Sequence, residues 1–196
     1  SRIVAARLAA TLMKRGDTAA ADALKQRLAA FPDAQSAEIA ASLPVADARQ
    51  GLGQWLGLLG DGFVRTPGGN AALALLFARA AQWLDPTDPV GRLALVEALV
   101  KVEQSDAALA LLEQGGGMPD GAADLFALRR AELLADKGAV AQAIALVAPD
   151  PAQLPDDRGW LIRFAEIARQ SDDPAVAEAV FDKLLAQPAV SPSDNS

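Results

Sequence analysis

The sequence predicts an all-α protein made of successive antiparallel helix pairs. Hydrophobic residues make up 52% of the 196-residue chain, aromatic residues only 5%, and alanine supplies much of the apolar total. Alanine has the highest helix propensity, whereas strands favour the β-branched and aromatic residues that are scarce here. Apolar residues recur at helical spacing and are interrupted by short stretches of Pro, Gly and Asp. We therefore expect about five helix pairs with a repeat length of about 34 residues.

Composition excludes several classes of function. The formal net charge is −7 and no Lys/Arg run occurs, so we predict no nucleic-acid binding, which depends on neutralising phosphates. Cys and His are both absent, which removes disulfides, thiolate nucleophiles, His bases and nearly all zinc or iron sites. The sequence therefore predicts no enzyme, no cofactor and no metal site.

The compartment is left open by the composition. A chain without Cys is compatible with the cytoplasm and with the periplasm, and we favour the periplasm. Charges interrupt every apolar window before it reaches the roughly 20 residues of a transmembrane helix, so we expect no membrane insertion. The helical pattern at Ile3 and Val4 opens without a polar capping helix, as expected of an array that continues upstream or of an interface.

The first predicted pair covers residues 1–31. Its first helix carries an apolar stripe, and Gly16 ends that helix because glycine takes the left-handed conformation at low cost. Asp17 or Thr18 can cap the second helix, which stops before Pro32. The stripe residues are Ile3, Leu8, Leu12 and Met13 on the first helix, and Ala20, Ala21, Leu24 and Leu28 on the second.

The second pair is less regular. A short helix is predicted at residues 34–42. The longer first helix of the pair follows at 45–64, and a loop insertion separates it from the second helix. The longer helix contains four glycines, each of which costs about 1 kcal/mol relative to alanine in a helix. Close approach by a neighbouring helix backbone would offset that cost. The glycines are Gly51, Gly53, Gly57 and Gly60.

The strongest helical pattern of the chain, at residues 71–84, is the second helix of the second pair, and the third pair follows it. We expect Ala74, Leu75, Ala78, Ala81 and Leu84 on the buried side of that helix. A turn then leads to Pro89, which suits a first helical position. The next helix carries Leu93, Leu95, Val96, Leu99 and Val100. Its partner begins near Ser105 and is cut short by the glycines at 115–117.

The fourth and fifth pairs complete the chain. Helices are predicted at 122–136 and 139–147, joined by Lys137-Gly138, and then at 156–170 and 174–187. Asp173 is expected to cap the last helix, with Pro174 at its first position. Residues 189–196 carry no apolar stripe, and we predict that this tail is disordered.

These pairs support a repeat register in which small residues recur where the helices of a pair meet. Beginning a repeat at Pro89 puts Val96 at position 8 and Ala108 at position 20. The fourth and fifth pairs place Ala131 and Ala165 at position 8 in the same way. The chain in this register resembles the tetratricopeptide-repeat family over residues 1–188, in a degenerate, alanine-rich form. The alternatives are another helical repeat and a closed helical bundle.

This resemblance implies a right-handed α-solenoid whose first helices line a concave groove. In this family the groove binds a peptide or a protein, and the lining positions fall here on polar residues. Arginine is suited to a partner's carboxylates because its guanidinium pairs with them bidentately. The candidate protein-binding residues are Arg7, Lys14, Gln50, Gln54, Glu97, Lys101, Arg129, Glu132, Arg163, Glu166 and Arg169.

We therefore interpret the chain as a non-enzymatic scaffold for protein–protein interaction. One alternative is an assembly or substrate-handling domain of a larger bacterial envelope complex, such as polysaccharide export or cytochrome c maturation, where family members occur. Another is a homo-oligomeric structural element. A solvated helix face with weak ion pairs is the simplest explanation for any single candidate residue.

The three tryptophans have separate predictions. Trp83 is expected to be a packing residue near a helix end, and Trp55 is expected to fill space between pairs. Trp160 lies near a helix start, so we expect it to be partly exposed and to be a candidate partner contact.

Other motifs carry no chemistry. Gly51 to Gly57 has the wrong spacing for a dinucleotide loop and follows no predicted strand. The acidic pairs at 156–157 and 172–173 are interpreted as helix caps.

Overall fold

The structure is a computed structural model that describes residues 2–29, 45–114 and 122–187. These ranges contain ten α-helices, a short 3-10 helix at Pro151–Gln153 and no strand, so the all-α prediction is confirmed. The predicted helix at 34–42, the glycines at 115–117 and the tail at 189–196 lie outside the described residues. The α-helices are α1 (Arg2–Lys14), α2 (Thr18–Ala29), α3 (Ala48–Arg65), α4 (Ala71–Leu84), α5 (Pro89–Lys101), α6 (Ser105–Glu113), α7 (Ala122–Asp136), α8 (Val140–Val147), α9 (Arg158–Ala168) and α10 (Pro174–Ala186).

Helix boundaries follow the local signals in the sequence. Gly16 and Gly138 both have a positive φ, 83° and 81°, at the ends of α1 and α7. A side-chain oxygen of Asp17 accepts from the backbone N–H of Ala20 at 3.3 Å. Asp173 accepts from the N–H of Ala175 at 3.0 Å, and Pro174 occupies the first position of α10. The predicted turn glycine at 16 and the cap at Asp173 are thus confirmed.

Two compact units make up the chain, residues 1–126 and residues 127–196. In the first unit α1 packs on α2, while α3, α4 and α5 pack on one another and α6 packs on α5. Small residues fill most of this interior. On α4 the alanines at 74, 78 and 81 are buried, whereas Leu75 and Leu84, predicted to lie on the same buried side, are only half-buried.

Helix α3 approaches its neighbours through three of its glycines. A Cβ added to Gly60 would lie 3.2 Å from the backbone of α4 at Ala74 O and Ala78 N. A Cβ added to Gly57 would lie 3.2 Å from the Cα of Gly91 on α5, and Gly53 is similarly close to Ala81 and Leu84. The sequence prediction that close backbone approach offsets the glycine cost is confirmed at these three positions. Gly51, by contrast, meets only the side chain of Val45.

The second unit has a core of larger side chains. Phe164 and Leu161 on α9 are fully buried and pack with Leu128 of α7 and Val180 of α10. The ring of Trp160 lies 5.0 Å from that of Phe164, centroid to centroid. The 3-10 helix, which the sequence did not predict, packs against α10.

Candidate functional site

An ion-pair cluster joins the predicted first helices of the last two pairs in the second unit. Glu132 on α7 binds Arg163 on α9 through two hydrogen bonds, Nε to Oε1 at 2.6 Å and Nη2 to Oε2 at 3.0 Å. Arg129, one turn before Glu132, donates to the same Oε2 at 2.8 Å. Two guanidinium groups therefore share one carboxylate, and the bidentate pair is the stronger kind of charged contact. Three of the predicted groove residues are brought together here.

The next polar residues on α9 are solvated. Glu166 and Arg169 form an i,i+3 ion pair at 3.3 Å, and their side chains are 70% and 67% exposed. Arg163 is 36% exposed, while Arg129 and Glu132 are below 20%. Side-chain exposure thus increases from Arg163 on α9 to Arg169, which directly follows the helix, and this end of the helix offers charged groups to solvent.

Two of the predicted groove residues in the first unit are buried. Gln54 on α3 is 5% exposed, and Arg7 on α1 is also 5% exposed. The guanidinium Nη2 of Arg7 donates to Oδ1 of Asp88 at 2.5 Å. Neither residue presents its polar group to solvent in this conformation.

Asp88 combines two tasks at the start of α5. Its Oδ2 accepts from the N–H of Gly91 at 3.0 Å, which caps the helix, while Oδ1 holds Arg7. Burial raises the pKa of the Asp88 carboxyl, and the charge of Arg7 and the Gly91 N–H oppose that shift. Within the described parts of the chain, Nε and Nη1 of Arg7 have no hydrogen-bond partner. No local pattern predicts this pair, because its members are 81 residues apart.

The remaining predicted residues serve different purposes. Lys101 donates to the backbone oxygens of Phe63 and Val64 at 3.0 and 2.8 Å, at the carboxyl end of α3, where a cation is favoured by the helix dipole. Gln50 accepts from the N–H of Ala46 at 2.9 Å near the start of α3. Lys14 is exposed and Glu97 is half-buried. The candidate groove residues of the first unit therefore do not share one role.

All three tryptophan predictions are wrong. Trp83 is 74% exposed and Trp55 is 56% exposed, so neither fills space between pairs. Trp160 is 8% exposed and lies in the core of the second unit. The guanidinium of Arg49 on α3 lies 5.4 Å from the centre of the Trp83 ring, within the range of a cation–π contact, and Nη2 donates to the Trp83 carbonyl at 3.1 Å.

The described parts of the chain contain no cluster of three or more His, Cys, Asp or Glu side chains that could hold a metal ion. Within the same ranges, every helix is too short or too polar to cross a membrane. No protein-family model, curated protein or solved structure matches the chain.

Proposed function

We propose that the chain is a non-enzymatic scaffold for protein–protein interaction, built as a right-handed solenoid of about five helix pairs similar to tetratricopeptide repeats. The observation that supports this proposal is the direct contact of Glu132 with Arg163. These residues are 31 positions apart, close to one repeat length, and lie on the first helices of consecutive pairs. Adjacent first helices that share a polar face are what a groove-forming repeat requires.

The partner is a peptide or protein segment that carries carboxylates. Arg163 binds Glu132 through Nε and Nη2, which leaves Nη1 outside the pair. Arg169 is largely exposed beside Glu166, and an exposed i,i+3 pair contributes at most about 0.5 kcal/mol. An incoming carboxylate can therefore compete for Arg169 at little cost, and the guanidinium fork fixes its orientation.

Capture of binding partners by cross-linking, in extracts of the source organism, tests whether the groove binds a protein. Wild-type chain is compared with Arg163→Glu/Arg169→Glu and with Lys25→Glu, a matched charge reversal of an exposed residue on α2. We expect wild type and the Lys25 variant to capture the same protein and the double variant to lose at least about tenfold, which corresponds to 1.4 kcal/mol. Circular dichroism checks that each variant is folded.

A single substitution, Arg169→Glu, still tests the groove if the double variant unfolds. Arg169→Glu alone alters only an exposed pair, so its helix should persist. A captured protein that binds wild type and Arg169→Glu equally, with the folded double variant also unaffected, contradicts a groove on α7 and α9. Capture of no protein by wild type contradicts the scaffold proposal itself.

A further inference from the structure

The outward face of α4 is an apolar stripe with one cation. Ala72, Leu76, Arg79 and Trp83 are spaced by four, three and four residues, which aligns them along one side of a helix. All four are exposed, and Leu76 and Trp83 are 59% and 74% exposed. These residues form what we name the α4 face.

The charge of the α4 face is positive although the whole chain has a net charge of −7. Helix α4 contains a single charged residue, Arg79, and no acidic one. Arg49 adds a second cation, because its guanidinium lies over the ring of Trp83. An apolar surface of this kind is complementary to an apolar surface with carboxylates.

Helix α10, in the second unit, carries a surface of that complementary kind. Pro174, Glu178, Phe181 and Leu185 have the same four, three and four spacing, and they lie opposite the buried residues Val176 and Val180. Phe181 is 45% and Leu185 83% exposed. Pro174 and Glu178 are exposed as well, so these four residues form the α10 face.

We propose that the α4 face of one copy of this chain packs antiparallel on the α10 face of a second copy. This assembly goes beyond the proposed groove and uses none of its residues. The equal spacing of the two stripes lets all four positions meet in a single register. That register sets Arg79 against Glu178, Leu76 against Phe181, Ala72 against Leu185, and Trp83 against Pro174.

Charge selects this pairing over the others. A parallel arrangement of the same faces sets Arg79 against Phe181 and Glu178 against Leu76. Two α4 faces packed on each other bring arginines together without a carboxylate, and two α10 faces bring glutamates together. Neither Arg79 nor Glu178 forms an ion pair within the described residues, so both are available.

Charges at the ends of α4 and α10 add to the electrostatic complementarity of the two faces. In the antiparallel register the amino end of α10 lies beside Trp83, where Arg49 is placed. Asp172 and Asp173 immediately precede that end. The contact joins two different faces, so it is heterologous and forms either a ring or an open chain of copies.

Sedimentation equilibrium of the purified chain, without any partner, tests the proposal. Wild type should show an average mass that rises above the monomer mass with concentration. Arg79→Glu sets a glutamate against Glu178. Glu178→Arg, combined with Asp182→Arg at an exposed neighbour on α10, sets an arginine against Arg79, so each variant alone should remain monomeric. Mixing the two variants in equal amounts should restore association, because each acidic face then finds a basic one.

The control is Lys25→Glu, an exposed charge reversal outside both faces, which should associate as wild type does. All substituted side chains are exposed, and circular dichroism confirms folding before the masses are compared. A wild type that stays monomeric at every concentration overturns the proposal. It is equally overturned if the two charge variants associate as strongly as wild type, or if their mixture stays monomeric. None of these results bears on partner capture by the α7–α9 groove.

Discussion

The two units of this chain stabilise helix pairs in different ways. In the first unit, helices approach through the glycines of α3, and a buried ion pair joins Arg7 to Asp88. In the second, large apolar side chains such as Phe164 fill the interior, while the Glu132 ion pairs lie at its edge. One kind of local sequence pattern thus supports two kinds of interior. The first unit should lose stability when a side chain is enlarged, and the second when a side chain is truncated.

The comparison teaches what each interior tolerates. A core of large side chains loses stability when atoms are removed, because a cavity remains. An interface of backbones loses stability when atoms are added, because nothing flexible can move aside. A buried ion pair loses stability when one member is neutralised, since the other stays charged and desolvated.

The largest effect is expected from Phe164→Ala in the second unit. Phe164 is fully buried and its ring centroid lies 5.0 Å from that of Trp160, so its truncation should destabilise the unit by about 4 kcal/mol. Urea unfolding followed by circular dichroism measures the change. The control is Ile162→Ala on the same helix, where the side chain is 51% exposed and the change should stay below about 1 kcal/mol. Equal losses for the two variants would contradict the assigned core.

Neutralising the buried pair should have the next largest effect. Asp88→Asn keeps the shape and a cap acceptor for Gly91 but removes the hydrogen-bonded counter-charge of Arg7, for an expected loss of about 3 kcal/mol. Urea unfolding measures this loss against Asp22→Asn, an exposed carboxylate on α2. Arg7→Met combined with Asp88→Asn should recover part of the loss. A loss no greater than that of the Asp22 control would show that the pair is not buried as described.

Adding one methyl group tests the backbone interface. Gly57→Ala places a Cβ 3.2 Å from the Cα of Gly91 and should destabilise by about 1–2 kcal/mol, even after the gain in helix propensity. Gly62→Ala is the matched control on the same helix, since a Cβ there meets nothing within 4 Å. That variant should stabilise by up to about 1 kcal/mol. Thermal unfolding of both proteins checks the opposite signs.

The smallest effect is expected at the edge of the second unit. Glu132→Gln removes the shared carboxylate of Arg129 and Arg163, and because the cluster is partly solvated the loss should be about 1 kcal/mol. Glu166→Gln, in the more exposed pair, should change stability by less. Urea midpoints measured at low and high salt distinguish the two ion pairs, since salt screens the exposed pair more completely than the partly buried one.

Local features of this fold could be predicted from the sequence because their causes lie within a few residues. The bounds of α4 match the prediction, and Asp173 caps α10 as its position before Pro174 indicated. The glycines of α3 were also informative, since a helix that keeps Gly53, Gly57 and Gly60 needs a neighbour at close range.

Features that depend on packing between distant segments could not be predicted. The position of Trp160 near a helix start predicts a partly exposed side chain, yet that start packs into the core of the second unit. Trp83 lies near the end of an apolar helix, which predicts a packing role, but its side chain is on the outward, exposed side of α4. Arg7 fitted a groove position in the repeat register, and only the three-dimensional arrangement pairs it with Asp88.

The ion pair between Arg7 and Asp88 also sets an order of events during synthesis. The two residues are separated by 81 positions, so at ordinary elongation rates Arg7 is made roughly 4–16 s before its counter-charge exists. Arg7 therefore spends that interval without this counter-charge. The contact between α1 and the start of α5 can form only after Asp88 has been made, so completion of the first unit depends on a residue translated late.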